Sequence, residues 1–392
     1  MSLYRIQIRP LTAFGSPLLG DMLFGQMCCS IAEQHGGDRL SDLLRGYKER
    51  KPFCVISDAF PSGYLPLPSL PSFYWKLPGD MQSQEMDGQI GKSGQESEYV
   101  AIRKELKKRV WIPLSELCGN SNPKEWRNLA KTDKDLFNSL SLDEAPSRSS
   151  SCDDNDRKFM ECSRQQSGGS QNPRKGQKLV RSVSTYDMAV HNTIRRTMDT
   201  TGEDQFAPYA MTNLWYRKEQ ILDLYVVLDQ STHGFGLSEL YDALDHVGKS
   251  GFGRDATAGL GKFEIVATKK VFTEGKPLGV GDSFGELVKP STTRLTLASS
   301  VLLDQPGIIS NRTYYRTRTH FGRHGSWRAI QGTPFKHPLI LACQGAVVMF
   351  DQKQSDLVVG NGVGNVSRQH PEAVHQGFSP VVAIPDIDLD MK

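Results

Sequence analysis

The stretch Gly248-Lys-Ser-Gly-Phe-Gly-Arg-Asp-Ala-Thr-Ala-Gly-Leu-Gly261 decides the fold, because of what stands on either side of it. Upstream, Leu237, Leu240, Tyr241, Leu244 and Val247 recur at helical spacing. Downstream, Lys262 to Thr268 alternates as a strand does. The loop therefore leaves a helix and enters a strand. A dinucleotide-binding loop runs the other way, and a P-loop closes on Gly-Lys-Ser/Thr where this one closes on Gly261-Lys262-Phe263. Glycines at 248, 251, 253, 259 and 261 permit positive φ and a close backbone approach. Successive N–H groups in such a loop can converge on an anion such as phosphate. Lys249, Arg254 and Lys262 add positive charge, and Asp255 opposes it. A tightly packed connector is the competing reading, and the loop by itself leaves both open.

Working outward, Ile221 to Leu228 reads as a strand before the helix. At the start of the chain, Tyr4, Ile6 and Ile8 alternate with Arg5, Gln7 and Arg9, a half-buried strand. The loop Phe14-Gly-Ser-Pro-Leu-Leu-Gly20 follows, and Asp21 stands where an N-cap belongs. Leu23, Phe24, Met27, Cys28 and Ile31 share one helical face, which Gly36-Gly37 ends. Phe53 to Ser57 is a short strand before the Pro-rich run Ala59 to Pro71. The two strand–helix–strand runs predict a βαββαβ, ferredoxin-like unit with an insertion between its middle strands. Residues 77–100 and 141–177 are too polar to offset their ordering entropy, so a mobile insertion spans about 77–185. Between them, basic Arg103 to Arg109 runs into a strand at Val110 to Pro113. A first domain over 1–275 and a second over 290–392 follow. In the second, strands are legible at Leu295–Leu303, Pro338–Cys343 and Ala346–Phe350, but helices are not.

Composition excludes more than it assigns. At roughly 100–200 residues per domain, 392 residues imply two to three domains. A net charge of +3 means that any nucleic-acid binding must rest on local patches. Seven irregularly spaced cysteines, with no C-x-x-C pair, point to reduced thiols and a cytoplasmic setting. No signal peptide opens the chain and no run of 18 apolar residues offers a membrane span. No cofactor or metal is expected.

Two further clusters carry chemistry. Asn311 to Arg328 holds Arg312, Arg316, Arg318, Arg323 and Arg328 with no acidic residue, interleaved with Tyr314, Tyr315, Phe321 and Trp327. Arginines hold phosphates and aromatics stack on unpaired bases, so this is the composition of a single-stranded RNA groove, or else of a solvated amphipathic hairpin. His191-Asn-Thr-Ile-Arg-Arg196 is a dense donor set for phosphate, 2′-hydroxyl or base edges. His191 would also suit general acid/base work, although no second His or Lys stands at a diagnostic spacing. His320 and His324 stand four apart without a nearby carboxylate and read as donors.

Five passages carry a resemblance. They are Pro17-Leu-Leu-Gly-Asp-Met-Leu-Phe-Gly25, Ile56-Ser-Asp-Ala-Phe-Pro-Ser-Gly-Tyr-Leu-Pro66, His191-Asn-Thr-Ile-Arg-Arg196, Gly251-Phe-Gly-Arg-Asp-Ala-Thr-Ala-Gly-Leu-Gly-Lys-Phe263 and His375-Gln-Gly-Phe-Ser-Pro380. In this order they resemble the RAMP superfamily of CRISPR-associated RNA-binding proteins, and most nearly subunit four of the type III-A, or Csm, effector complex. Met22 departs from the Thr often found there. The resemblance implies an α+β fold of two ferredoxin-like (RRM-like, RAMP) domains, with the glycine-rich loop and a long thumb-bearing insertion in the first. It implies a non-catalytic subunit of a ribonucleoprotein in antiviral defence. That subunit binds the 5′ handle of the guide RNA (crRNA) and joins the backbone RAMP subunits and the large polymerase-type subunit. Handle phosphates would meet Gly251, Gly253, Arg254, Gly259, Gly261 and Lys262, with polar contacts from His191, Asn192 and Arg196. Arg318, Arg323 and Ser16 would complete the cleft. The alternative is a metal-independent endoribonuclease that processes guide precursors through His191. A protein-only scaffold is a third reading.

Overall fold

A computed structural model describes residues 1–75, 101–119, 122–143, 182–192, 194–195, 200–201, 207–273, 283–325 and 333–387. Its architecture is α+β. The first half runs β1 (Ser2–Pro10), α1 (Gly20–His35), β2 (Cys54–Ile56), β3 (Ser184–His191), β4 (Tyr209–Tyr216), β5 (Leu222–Leu228), α2 (Leu237–Ser250) and β6 (Phe263–Thr273). The second runs β7 (Ser291–Thr296), β8 (Thr317–His320), β9 (Leu339–Ala342), β10 (Val347–Gln354), β11 (Val358–Gly360) and β12 (Phe378–Ala383).

The first sheet has the order β6-β1-β5-β2, with every neighbouring pair antiparallel, and Phe60–Pro61 adds a short pairing to β5. This is the order expected when two strand–helix–strand runs interleave. β5 is buried at every position, as the continuous apolar run Leu224 to Leu228 requires. α1 and α2 pack side by side. α1 ends at Gly36 with φ 88°, as the glycine pair predicts.

At its start, however, Asp21 is not the cap. The N-cap residue is Leu19, which makes no side-chain cap, and Asp58 accepts the Gly20 N–H at 2.7 Å. A carboxylate from beyond β2 thus satisfies an orphan donor of the helix. That leaves Asp21 to point elsewhere. Gly20 is required by this contact, since a Cβ there would lie 2.2 Å from the Ile56 carbonyl oxygen.

Part of the long excursion belongs to the body of the molecule. The expected strand appears at Trp111–Pro113 and pairs with Tyr64–Pro66. Leu106, Ile112, Leu117 and Trp126 are buried in the same core as the first sheet. The polar stretches 77–100 and 144–177 lie outside the described residues. The excursion returns as the β3–β4 ribbon, in which Tyr186, Met188 and Val190 are exposed on one face.

The second sheet has the order β10-β7-β12-β11, with β8 and β9 forming a separate hairpin. Among its described residues, 283–387 contain 3-10 turns but no α-helix. The strand expected over Leu295–Leu303 stops at Thr296; beyond it the Leu297 N–H is shared between the Pro380 carbonyl and Ser379 Oγ, each at 2.9 Å, and the Ala298 N–H donates to Ser379 Oγ at 2.8 Å. One contiguous core joins both halves. Phe24 stacks on Tyr47 at 5.0 Å, and Tyr47 meets Phe378 edge-on at 5.2 Å. Gln376 completes the joint: its side-chain amide donates to the Ile56 carbonyl at 2.7 Å and accepts the Ile56 N–H at 3.0 Å.

Candidate nucleic-acid interface

The glycine-rich loop is first a packed structure. Gly251, Gly253, Gly259 and Gly261 all hold positive φ. A Cβ at Gly261 would lie 2.1 Å from the Phe252 carbonyl oxygen, and one at Gly251 would lie 2.5 Å from that of Leu260. At Gly253 it would strike Ser16, whereas at Gly259 it would meet open space. Most loop N–H groups are satisfied within the protein. Gly261 N–H donates to Ala13 O at 2.7 Å, Lys262 N–H to Thr12 Oγ1 at 3.0 Å, and Arg254 N–H to Ser16 Oγ at 3.2 Å. Gln26 on α1 clamps the loop: its Nε2 donates to Gly251 O at 2.6 Å and its Oε1 accepts Gly253 N–H at 3.0 Å. Among the described residues, the N–H groups of Asp255, Ala256 and Thr257 make no such bond.

Arg254 ties the loop to its neighbours. Its Nε donates to Gly15 O at 3.0 Å, and Nη2 donates to Thr212 O at 2.6 Å and Asn213 Oδ1 at 3.0 Å. Nη1 pairs with Asp255 at 2.9 Å and also touches Met211 Sδ. Ser16, Gly253 and Arg254 therefore meet, with the guanidinium engaged inside the protein. Lys262 is half-buried, and no ion pair holds its ammonium among the described residues.

The β3–β4 ribbon leaves from this point. Met211 pairs with Ala189, and His191 pairs with Tyr209 two steps further out. The His191 ring lies nearly parallel to Tyr209 with centroids 5.3 Å apart, and both are exposed. Asn192 is exposed beyond it. Arg196 lies outside the described residues.

The arginine-rich segment divides. Arg318 reaches α1, where its Nη2 donates to Asp21 Oδ2 at 2.6 Å while Nε donates to Ser299 Oγ at 2.8 Å. His375 Nε2 and His320 Nδ1 stand 3.4 and 3.7 Å from the same Asp21 oxygen. Burial pushes the Asp21 carboxyl up, but His375, Arg318 and His320 outweigh it and hold the net value below the usual range. Burial lowers His320 by more than Asp21 raises it. Burial, with Asp21 nearby, raises Asp58 to about 7 although the Gly20 N–H opposes this. Arg323 is exposed, its guanidinium 5.9 Å above the Phe335 ring. His324 turns away to Ser367 Oγ at 2.8 Å and contacts His370.

Gln26, Gln376 and His375 were not singled out by sequence reasoning. Gln26 is one polar residue beside an apolar face, and nothing local marks it as a clamp. The other two lie inside a quoted motif whose individual roles only the fold separates.

No protein-family model matches the chain, and no curated protein does. Solved structures do. A chain of the Csm3–Csm4 subcomplex in the type III-A CRISPR-Cas interference complex superposes with a TM-score of 0.50 at 12% identity, covering 98% of this chain and 100% of that one. A chain of the Csm1–Csm4 cassette in complex with pppApA gives a TM-score of 0.46 at 13% identity, with coverage of 98% and 100%. A chain of the type III-B Cmr-beta complex bound to cognate target RNA gives 0.31 at 8% identity, covering 69% and 60%. The protein is therefore an α+β chain whose fold recurs in an interference-complex subunit. In particular, it shares the fold of a chain of the type III-A Csm3–Csm4 subcomplex over nearly its whole length.

Proposed function

We propose that the chain is a non-catalytic RNA-binding subunit of a type III CRISPR ribonucleoprotein, with a ferredoxin-like architecture in its first half; the second half, without an α-helix among its described residues, departs from the second ferredoxin-like domain that the sequence suggests. In this reading it holds the 5′ handle of the guide RNA and docks the large polymerase-type subunit and the backbone RAMP subunits, in antiviral defence. The observation that supports it most is the meeting of the Ser16 loop, the glycine-rich loop and the foot of the β3–β4 ribbon at Arg254. The fold likeness to a type III-A subunit chain supports the setting.

In this reading Gly251, Gly253, Gly261 and Arg254, all engaged within the protein, would shape the loop, while Gly259, Lys262 and the N–H groups of Asp255 to Thr257 would meet the RNA. Arg323 and the His191–Tyr209 stack supply cationic and aromatic contacts beside it.

Purifying the chain with its native partners and sequencing the co-purified RNA from its 5′ end tests the assignment. A uniform repeat-derived end is expected, and no specific RNA would leave a protein-only scaffold. In salt titrations with single-stranded handle RNA, Lys262→Ala should lower affinity and reduce the salt slope by about 0.7 for one lost phosphate contact. Unchanged affinity and slope would remove Lys262 from the interface. Repeat RNA incubated with the chain in EDTA should stay intact. Cleavage that His191→Ala abolishes would make the protein an endoribonuclease instead.

A further inference from the structure

We propose that Asp21, His320 and His375 form a binding site for a divalent transition metal, with the donor chemistry of zinc. The inference is independent of the RNA reading. Asp21 Oδ2 lies 3.4 Å from His375 Nε2 and 3.7 Å from His320 Nδ1, and the three ligand atoms all fall within 4.8 Å of one another. Around a tetrahedral ion with bonds of about 2.0–2.1 Å, ligand atoms stand roughly 3.3–3.5 Å apart. Small side-chain adjustments therefore suffice. Two imidazoles and one carboxylate suit zinc or cobalt, whereas magnesium and calcium prefer an all-oxygen shell.

A second observation points the same way. His375 is only 5% exposed, and among the described residues its Nε2 makes no hydrogen bond of good geometry, with Asp21 Oδ2 standing 3.4 Å away. Buried ring nitrogens are seldom left so, and this one is aimed at the Asp21 carboxylate. A metal ion would use it. The other carboxylate oxygen, Asp21 Oδ1, is fixed by the Met22 N–H at 2.9 Å, which orients the group. His320 keeps 12% of its side chain exposed and gives the cluster its way to solvent.

Arg318 is the competitor. Its Nη2 sits 2.6 Å from Asp21 Oδ2, the oxygen that faces both histidines. A bound ion would displace that nitrogen, leaving the guanidinium anchored through Nε to Ser299 Oγ at 2.8 Å. Asp58, which holds the adjacent Gly20 N–H and has a buried oxygen without a partner, offers a second carboxyl to balance the charge. The arrangement gives mutations of opposite sign. Removing a ligand should abolish binding, and removing Arg318 should strengthen it.

Cobalt(II) titration of chelator-stripped full-length protein is the test. One equivalent should bind with the intense visible bands of a four-coordinate site, and zinc should displace it. His375→Gln and His320→Gln should each weaken binding by at least about a hundredfold, beyond the 10–100-fold typical of outer-shell changes. Arg318→Gln should tighten it about tenfold. Circular dichroism checks that each variant is folded. If His375→Gln does not fold, His320→Gln and X-ray absorption of the zinc-loaded wild-type protein decide, with imidazole scattering expected. Sub-stoichiometric cobalt, bands that persist in folded ligand variants, or a zinc shell without imidazole would overturn the proposal.

Discussion

Gly20 and Asp58 show how little slack a single position can have. A methyl at Gly20 would press on backbone atoms of Ile56 and Ser57, which no rotamer change relieves. Gly20→Ala should therefore cost roughly 1–3 kcal/mol, the usual scale of overpacking, in urea denaturation. A midpoint equal to the wild type would mean that the strand end yields freely. Asp58 makes a pH-dependent contribution. Its folded value of about 7 exceeds the ordinary 3.8, so the folded state binds an extra proton between the two. Stability from this group is present at low pH and is lost as pH rises from about 4 to 7. Asp58→Asn keeps an oxygen for the Gly20 N–H but cannot ionise. In EDTA-treated protein it should shrink the stability difference between pH 5 and pH 8 by about 3 kcal/mol. An unchanged difference would place the titration elsewhere.

At the scale of elements, the glycine-rich loop behaves as a rivet between α2, α1 and the ribbon. Gln26→Leu removes both side-chain bonds to it, and Arg254→Ala removes the link to Gly15, Thr212 and Asn213. Either change should raise hydrogen exchange and protease cutting over 251–262 while far-UV circular dichroism stays near wild type. Equal protection would show that the glycines hold the loop unaided. The strands and helices of the first half were legible because β1 alternates at Tyr4, Ile6 and Ile8, and α2 repeats at Leu240, Leu244 and Val247. Periodicity reports burial, and these elements bury one face. The second half is less regular: the expected strand ends after Thr296, where Ser379 Oγ accepts the Ala298 N–H, and no local pattern encodes a hydroxyl from 81 residues away. The candidate interface was legible for the same reason in part. Glycine at 251 and 261 marks a tight loop, but whether Arg254 faces solvent or protein depends on where the ribbon starts, which lies in tertiary geometry.

For the whole molecule, the joint between halves is made of side chains acting on backbone. Gln376→Leu would strand the N–H and C=O of Ile56 in a buried setting, at about 1–3 kcal/mol for each group. It should lower the urea midpoint by correspondingly more than a surface substitution, and should lower cooperativity if the halves then open separately. A shift within about 0.5 kcal/mol would mean that water replaces the amide. The same bond also has a meaning in time. β2 is the outer strand of the first sheet, and the amide that covers its Ile56 edge comes from 320 residues further along. While the chain is still emerging from the ribosome, that edge has no cover. An uncovered strand edge is a template for pairing with other chains. Chains terminated before Gln376 should thus aggregate or bind chaperones more than the full-length chain does, as a sedimentation assay of truncated products would show.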